Sequence, residues 1–423
     1  MNFSKKVLPN GARLIVVPMP ESPTVTVTVL VEAGSKYEAK KLNGISHFLE
    51  HFAFKGTARR PKTADLSREL DSLGAQYNAF TAQEFTGYYA KAHKDKAEKI
   101  LDIVSDMYLN PLLPEAELEK EKGVIIQEIK MYEDEPASHV QDLFLALLYG
   151  DQPAGWNIAG TTKTVAGFTR QALANYKERH YVAEATAVIV AGGFNNTLAS
   201  NVENIFRGLS GAKKPEKAKV KEAQKTPAIL VKHKETDQTH LVLGVRAFST
   251  FDPRVPALKV LTAVLAGGMS SRLFTKLRNE LGLCYYVGAA PDLYTDHGLF
   301  QVAAGVDTAK VELALRAVIG EWRRLVLEPP PSAELRKAKD FLIGNLYLGL
   351  ESSDELAQFF GSQEILRKPL KTPETFVKEI EVVTAADIQQ LAKSIFKEEN
   401  LNLALIGPFQ DQKPFLPLLN LKQ

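Results

Sequence analysis

The two halves of this chain resemble each other, and this internal repeat constrains the fold more than any other feature of the sequence. The run AELEKEKGVIIQE at 116–128 aligns without gaps to AELRKAKDFLIGN at 333–345. Upstream, the strand-like segment 25–38 can be laid beside 240–252, and a helical pattern follows each of them. The offset of about 210 residues is too long for a solenoid unit. We therefore predict two homologous α+β domains, each an antiparallel-rich sheet packed with helices.

A lysine-rich segment separates the two copies. GAKKPEKAKVKEAQKT, at 211–226, holds six lysines and almost no apolar side chains, which is typical of a solvated linker. The sequence thus predicts a first domain over 1–210, a linker over 211–226 and a second domain over 227–423.

Composition excludes several classes of protein. The 52 Lys and Arg residues nearly balance the 50 Asp and Glu residues, so there is no basic excess of the kind that nucleic-acid binders carry. No apolar run reaches the ~18 residues of a membrane helix. The single cysteine, Cys284, excludes an intrachain disulfide and a Cys-rich zinc module. The N-terminal residues show no secretory apolar stretch, so we expect a cytoplasmic location.

Turn signals and hydrophobic periodicity outline the first domain. The alternation in TVTVTV at 24–29 indicates a strand with one buried face. We predict strands, a β-hairpin and helices as follows: strands over 13–17 and 24–31, helices over 44–54 and 63–73, a hairpin over 75–90, and helices over 94–109 and 114–133.

One histidine pair has the spacing of metal ligands. His47 and His51 lie four residues apart in HFLEHF, so an α-helix places both on one face, where two imidazoles can meet one zinc ion. Glu50 shares that face and can take a proton from a water at the metal without being a ligand. The alternative is a pair of core histidines with an ion-paired Glu, but burying all three groups without a partner would be costly. H-x-x-E-H is the motif of inverted zincins.

A catalytic zinc keeps three protein ligands, so a third is required. Glu121 and Glu128 are both candidates, because seven residues place them on one face of the predicted helix. Glu128 lies in the apolar context VIIQEI, where an unpaired carboxylate is hard to explain. The second copy has none of these groups, as the aligned positions show: Thr262, Ala263, Ala338 and Asn345 stand opposite Glu50, His51, Glu121 and Glu128.

With these motifs, nearly the whole chain resembles the pitrilysin-type (inverzincin) zinc metallopeptidases, in the short-chain branch that includes the catalytic subunit of mitochondrial processing peptidase and bacterial homologues. The resemblance rests on LPNG at 8–11, GISHFLEHFAFKGT at 44–57 and SRLFTKLRNELGLCYYV at 271–287. In the family 76 residues separate the second histidine from the glutamate ligand, and 76 residues lie between His51 and Glu128 here.

The resemblance implies one zinc ion per chain and a set of roles for this site. His47, His51 and Glu128 would hold the zinc, Glu50 would be the base, and Glu121 would orient a histidine. In the second domain, Arg278 and Tyr285 would bind substrate and stabilise the tetrahedral intermediate, with Tyr286 as a competitor for Tyr285. Read without the family, that stretch is only a helix end, a Gly turn and a strand.

The resemblance also implies how peptides are bound. An extended peptide would add to the edge strand that includes Asn78 and Ala79. This strand would lie inside a closed chamber of four such domains, and this chain would supply two of them, which form half of a clamshell. We expect a homodimer, with a heterodimer of homologous subunits as the alternative. The rival functions are a non-catalytic assembly subunit of the same fold and a peptidase that cuts one defined presequence.

Overall fold

The structure, a computed structural model, describes residues 2–195 and 197–421. The chain folds into two compact units. Unit 1 comprises the residues up to Lys130 together with Trp156–Ala218 and Tyr347–Thr372, and unit 2 comprises Met131–Gly155, Lys219–Leu346 and the residues from Pro373 onward. No helix in the described part of the chain is long and apolar enough to cross a membrane.

The sheet of unit 1 is mixed. Its strands are β1 (Ser4–Val7), β2 (Arg13–Pro18), β3 (Thr24–Val31), β4 (Gln76–Thr81), β5 (Thr86–His93) and β6 (Thr186–Gly192). They lie in the order β1-β2-β6-β3-β5-β4, with β2 and β6 parallel and the other neighbours antiparallel. Strand β4 therefore lies at one edge of the sheet.

The sheet of unit 2 repeats this arrangement. Its strands are β7 (Ala228–His233), β8 (Gln238–Ala247), β9 (Cys284–Leu293), β10 (Gly298–Asp307) and β11 (Asn402–Gly407). They follow the order β7-β11-β8-β10-β9, with β7 and β11 as the parallel pair. When each strand is replaced by its counterpart in unit 1, this order reads β2-β6-β3-β5-β4. The predicted duplication and the two-domain α+β fold are therefore confirmed.

Helices cover both sheets. The helices up to residue 149 are α1 (Ile45–Phe52), α2 (Thr63–Ser72), α3 (Ala97–Leu109), α4 (Glu115–Asp134) and α5 (Pro136–Tyr149). Those between residues 162 and 327 are α6 (Thr162–Ala166), α7 (Arg170–His180), α8 (Thr197–Phe206), α9 (Val255–Ala266) and α10 (Val311–Leu327). The last four are α11 (Ser332–Leu348), α12 (Ser353–Ile365), α13 (Pro373–Glu381) and α14 (Ala385–Ile395).

The units are not continuous in sequence, which corrects the predicted domain boundaries of 1–210 and 227–423. Helix α5 packs in unit 2, where Val140 and Phe144 join a core with Val242 and Ile406. Helix α12 packs in unit 1, against β3 and β6. An amphipathic helix has an apolar face but does not state which sheet it covers, so the sequence pattern could not reveal this exchange. The junction between Ala218 and Lys219 does fall inside the predicted linker.

Strand β3 also differs from expectation, because it is buried on both faces. Its apolar residues enter the main core of unit 1, and the alternate residues Thr26 and Thr28 are buried as well. Helix α12 covers this second face, where the hydroxyls of Thr26 and Ser353 lie 2.8 Å apart. Ser353 of the covering helix gives the Thr26 hydroxyl a polar partner, and Thr28 is buried beside it, so the alternation of threonines did not mark a solvent-exposed face.

Candidate metal centre

Helix α1 carries the histidine pair, and its first turn is fixed by an acidic side chain. Gly44 precedes the helix at φ 96°, and a Cβ there would lie 2.5 Å from the carbonyl oxygen of Ala159. The buried carboxylate of Glu38 accepts hydrogen bonds from the backbone N–H groups of Gly44 (2.7 Å) and Ser46 (2.8 Å). Burial raises the pKa of Glu38, and these hydrogen bonds oppose the rise. Glu38 thus caps the N-terminus of the helix that presents His47.

Three side chains converge at the centre of the site. Nε2 of His47 lies 3.7 Å and Nε2 of His51 lies 3.5 Å from Oε2 of Glu128. The two imidazole rings have centroids 4.6 Å apart. Helix α1 supplies the histidines and α4 supplies Glu128, so the structure brings together the three residues that the sequence singled out as ligands.

These distances fit a zinc ion. Ligand atoms at about 2.0–2.1 Å from a tetrahedral zinc lie about 3.3 Å apart, close to the separations of 3.5 and 3.7 Å found here. Oε2 of Glu128 is buried and accepts no hydrogen bond from the described residues. A buried carboxylate oxygen without a donor is costly. A cation held between the three side chains would remove that cost, and two nitrogens with one oxygen form a donor set that zinc accepts.

A second acidic side chain of α4 orients His51. Oε1 of Glu121 lies 2.7 Å from Nδ1 of His51, and its Oε2 lies 2.6 Å from Nζ of Lys55. The carboxylate is 3% exposed, so both oxygens are committed to protein partners. With Nδ1–H donating to Glu121, His51 keeps the lone pair of Nε2 for the metal. Burial opposes ionisation of Glu121, but the bonds to His51 and Lys55 lower its pKa overall.

The two histidines differ in their affinity for protons. Burial, followed by the charge of His51, lowers the pKa of His47 to about 4. Burial also disfavours protonated His51, yet the hydrogen bond and charge of Glu121 raise its pKa overall. His47 is therefore a neutral imidazole at neutral pH, whereas a metal at His51 would compete with a proton.

Glu50 lies beside the ligands without joining them. Its Oε2 accepts a hydrogen bond of 2.7 Å from the hydroxyl of Thr81, at the end of β4. Burial raises the pKa of Glu50, the Thr81 bond and the charge of His51 oppose the rise, and the charge of Glu128 adds to it. A carboxylate with a raised pKa is a stronger base than an exposed one, which suits a group that takes a proton from water.

The predicted peptide-binding residues lie on an exposed edge strand. Asn78 and Ala79 belong to β4, which α1 contacts and which, within residues 2–195 and 197–421, pairs only with β5. The backbone N–H of Ala79 donates to Oδ1 of Asn78 at 2.9 Å. An added peptide strand that uses this N–H would have to displace the Asn78 side chain. The substrate-binding role of both residues stays a prediction.

In unit 2, the structure distinguishes the two adjacent tyrosines. Arg278 lies on a π-helical turn, Phe274–Glu280, and its guanidinium is 5.3 Å from the ring centroid of Tyr285. Tyr285 is 74% exposed. Tyr286 is part-buried, and its hydroxyl lies 2.9 Å from Nδ1 of His240. Tyr285 is thus the tyrosine paired with Arg278 and accessible to a ligand, whereas Tyr286 is engaged within the unit.

Sequence reasoning missed three residues that hold this site in place. Glu38 accepts a hydrogen bond from the backbone N–H of Gly44 at the start of α1. Lys55 pairs with Glu121, and Thr81 donates a hydrogen bond to Glu50. The spacing of Lys55 could have pointed to it, because it stands four residues after His51, and that spacing on a helix places two side chains on one face. Thr81 and Glu38 had none, since their contacts depend on how β4 and the loop before α1 fold back on the helix.

The family comparison agrees with this geometry. Residues 13–162 match the model of insulinase (peptidase family M16), and residues 167–342 match that of the peptidase M16 inactive domain. The chain belongs to peptidase family M16. The inactive-domain match covers Thr262, Ala263 and Ala338, which stand where the first copy has Glu50, His51 and Glu121.

Relatives of the full length of this M16 chain are named as zinc proteases. An uncharacterized zinc protease, YmxG of Bacillus subtilis (strain 168), is 34% identical over 94% of this chain and 97% of its own. An uncharacterized zinc protease of Rickettsia felis is 32% identical over 96% and 98%. Among solved structures, a protease from Helicobacter pylori has a TM-score of 0.88 at 22% identity, covering 96% of this chain and 99% of its own. The similarity to the Helicobacter pylori structure shows that the two chains share a fold.

A second solved structure, a peptidase M16 inactive domain from Pseudomonas fluorescens, has the same TM-score of 0.88 at 20% identity, and it covers 98% of this chain and 100% of its own. Like the first, it shows the M16-type fold.

Proposed function

We propose that this chain is a zinc metalloendopeptidase that hydrolyses unfolded peptides or presequences bound in extended form. The convergence of His47, His51 and Glu128, with Glu50 beside them, supports the proposal most strongly. In a protein that serves only in assembly, a buried carboxylate oxygen without a donor, such as Oε2 of Glu128, would cost folding free energy that no metal ion offsets. The same observation therefore disfavours the rival function of a non-catalytic subunit.

The side chains divide the chemistry between them. His47, His51 and Glu128 would hold the zinc, which when bound polarises a carbonyl and lowers the pKa of a water. Glu50 accepts the proton of the attacking water at its carboxylate and passes that proton to the leaving amine. Glu121 keeps His51 in the tautomer that binds through Nε2.

Substrate binding would use backbone groups. The outer edge of β4 offers N–H and C=O groups to an extended peptide and lies against the helix that carries Glu50. Strand addition requires a substrate with unpaired backbone groups, so unfolded segments are favoured over folded proteins. Any preference for particular side chains would come on top of this selection.

The test replaces the proposed base. Glu50→Gln keeps the shape of the side chain and removes its ability to take a proton, so we expect turnover of unfolded peptides to fall at least ~10³-fold while zinc stays bound. Peptide cleavage is followed by mass spectrometry, and zinc by elemental analysis of the same samples. Exposed Glu119 on α4, changed to Gln, is the matched control. Unchanged turnover in Glu50→Gln would refute the assignment of the base.

A further inference from the structure

The last residue of β4 links the edge strand to the proposed base. Side chains alternate along a strand, so Tyr77, Ala79 and Thr81 share one face of β4. Helix α1 packs against this strand. The hydroxyl of Thr81 donates to Oε2 of Glu50 at 2.7 Å, across 31 positions of sequence.

This hydrogen bond fixes one oxygen of Glu50 and leaves the other available. Thr81 is the one hydrogen-bond donor to this carboxylate among the residues that the structure describes. A glutamate has three rotatable side-chain bonds, and without the donor its carboxylate could turn away from the ligands. With Oε2 held, Oε1 is the oxygen that can accept a proton from water.

We propose that Thr81 is a positioning residue, which orients Glu50 and connects the proposed base to the strand on which peptide binds. The inference rests on the proposed function of Glu50. It adds that the peptide and the base are held by one structural element, since Thr81 stands two residues from Ala79. A peptide that straightens β4 as it binds would therefore also set the position of the Glu50 carboxylate.

The test uses two substitutions of Thr81. Thr81→Val keeps the branched shape and removes the hydroxyl, while Thr81→Ser keeps the hydroxyl and removes a methyl group. We expect Thr81→Val to lower kcat about 10–100-fold, the range for one hydrogen bond to a charged group, with KM within about twofold of wild type. Thr81→Ser should keep most of kcat. Zinc content of Thr81→Val should equal that of the wild type, and the variant should be fully folded at the assay temperature.

A double variant separates positioning from other effects. If Thr81 acts through Glu50, adding Thr81→Val to Glu50→Gln should leave the residual turnover unchanged. Independent losses that multiply in the double variant would overturn the proposal. So would a Thr81→Val protein that loses zinc or is partly unfolded at the assay temperature, because its role would then be structural.

The same experiments distinguish this inference from the function on which it rests. Full turnover in Glu50→Gln would refute the base itself. An inactive Glu50→Gln beside a Thr81→Val protein with wild-type kcat would refute only the role of Thr81. Loss of kcat in Thr81→Val, recovery in Thr81→Ser and no further loss in the double variant would together support it.

Discussion

Replacing Glu121 by Gln should weaken zinc binding. The Gln side chain keeps the size of Glu121, but its amide cannot satisfy both neighbours. If its oxygen accepts from Lys55, its NH₂ group faces Nδ1–H of His51, and two donors then meet. In that orientation His51 must either lose this hydrogen bond or turn, and turning moves Nε2 away from Glu128, which lies 3.5 Å from it.

The size of the effect follows from burial. Glu121 is 3% exposed, so water cannot replace the lost bond to His51, which measures 2.7 Å. A hydrogen bond to a charged group contributes about 1.5–3 kcal/mol. At 1.4 kcal/mol per tenfold change, we expect zinc affinity to fall about 10–100-fold, the range for groups that orient metal ligands.

Zinc affinity is measured by competition with a chromophoric chelator at neutral pH. The control is Glu119→Gln, on the same helix, where the carboxylate is 77% exposed and pairs with Lys122. The control should bind zinc as the wild type does, because an exposed pair contributes little. Equal affinities for Glu121→Gln and the wild type, or equal losses in Glu121→Gln and the control, would refute the reasoning.

Two further predictions concern stability and assembly. Burial alone would raise the pKa values of Asp102 and Asp106, but hydrogen bonds from Arg60 and other donors outweigh it and lower both values. The two carboxylates therefore stabilise the fold at neutral pH, and this stabilisation is lost as the pH falls below about 4. Urea unfolding should show Arg60→Met less stable at neutral pH by about 3–5 kcal/mol, with a shallower acid-induced loss. Exposed Arg68→Met should match the wild type. We also propose a homodimer, for which light scattering should give twice the chain mass of 46.7 kDa; an active strict monomer would contradict it.

Much of the fold could be read from the sequence because local signals agreed with it. The TVTVTV alternation and the turn residues around it gave β3 its observed bounds, Thr24–Val31. The ungapped repeat at 116–128 and 333–345 indicated two copies, and the matching strand orders bear this out. What failed was the assignment of segments to domains, because α5 and α12 each cover a sheet that their own half of the sequence does not form.

The site shows the same division between local and distant information. His47, His51 and Glu50 could be read from one helical turn, and Glu128 from its apolar context together with the resemblance. Thr81 could not, because its contact with Glu50 depends on the packing of β4 against α1 and not on any spacing within a segment.

The exchanged helix α12 has a consequence for biosynthesis. Helix α12 covers one face of β3 and β6, and the ribosome adds its residues, which include the buried Leu356 and Phe360, long after His47, His51 and Glu128. A nascent chain that has emerged only through Ala218 contains His47, His51 and Glu128, yet its sheet still has one apolar face open to water. Unit 1 therefore cannot complete its fold until residues 347–372 have been synthesised. Premature termination anywhere before that helix leaves the peptidase without a finished core, although its ligand set is intact.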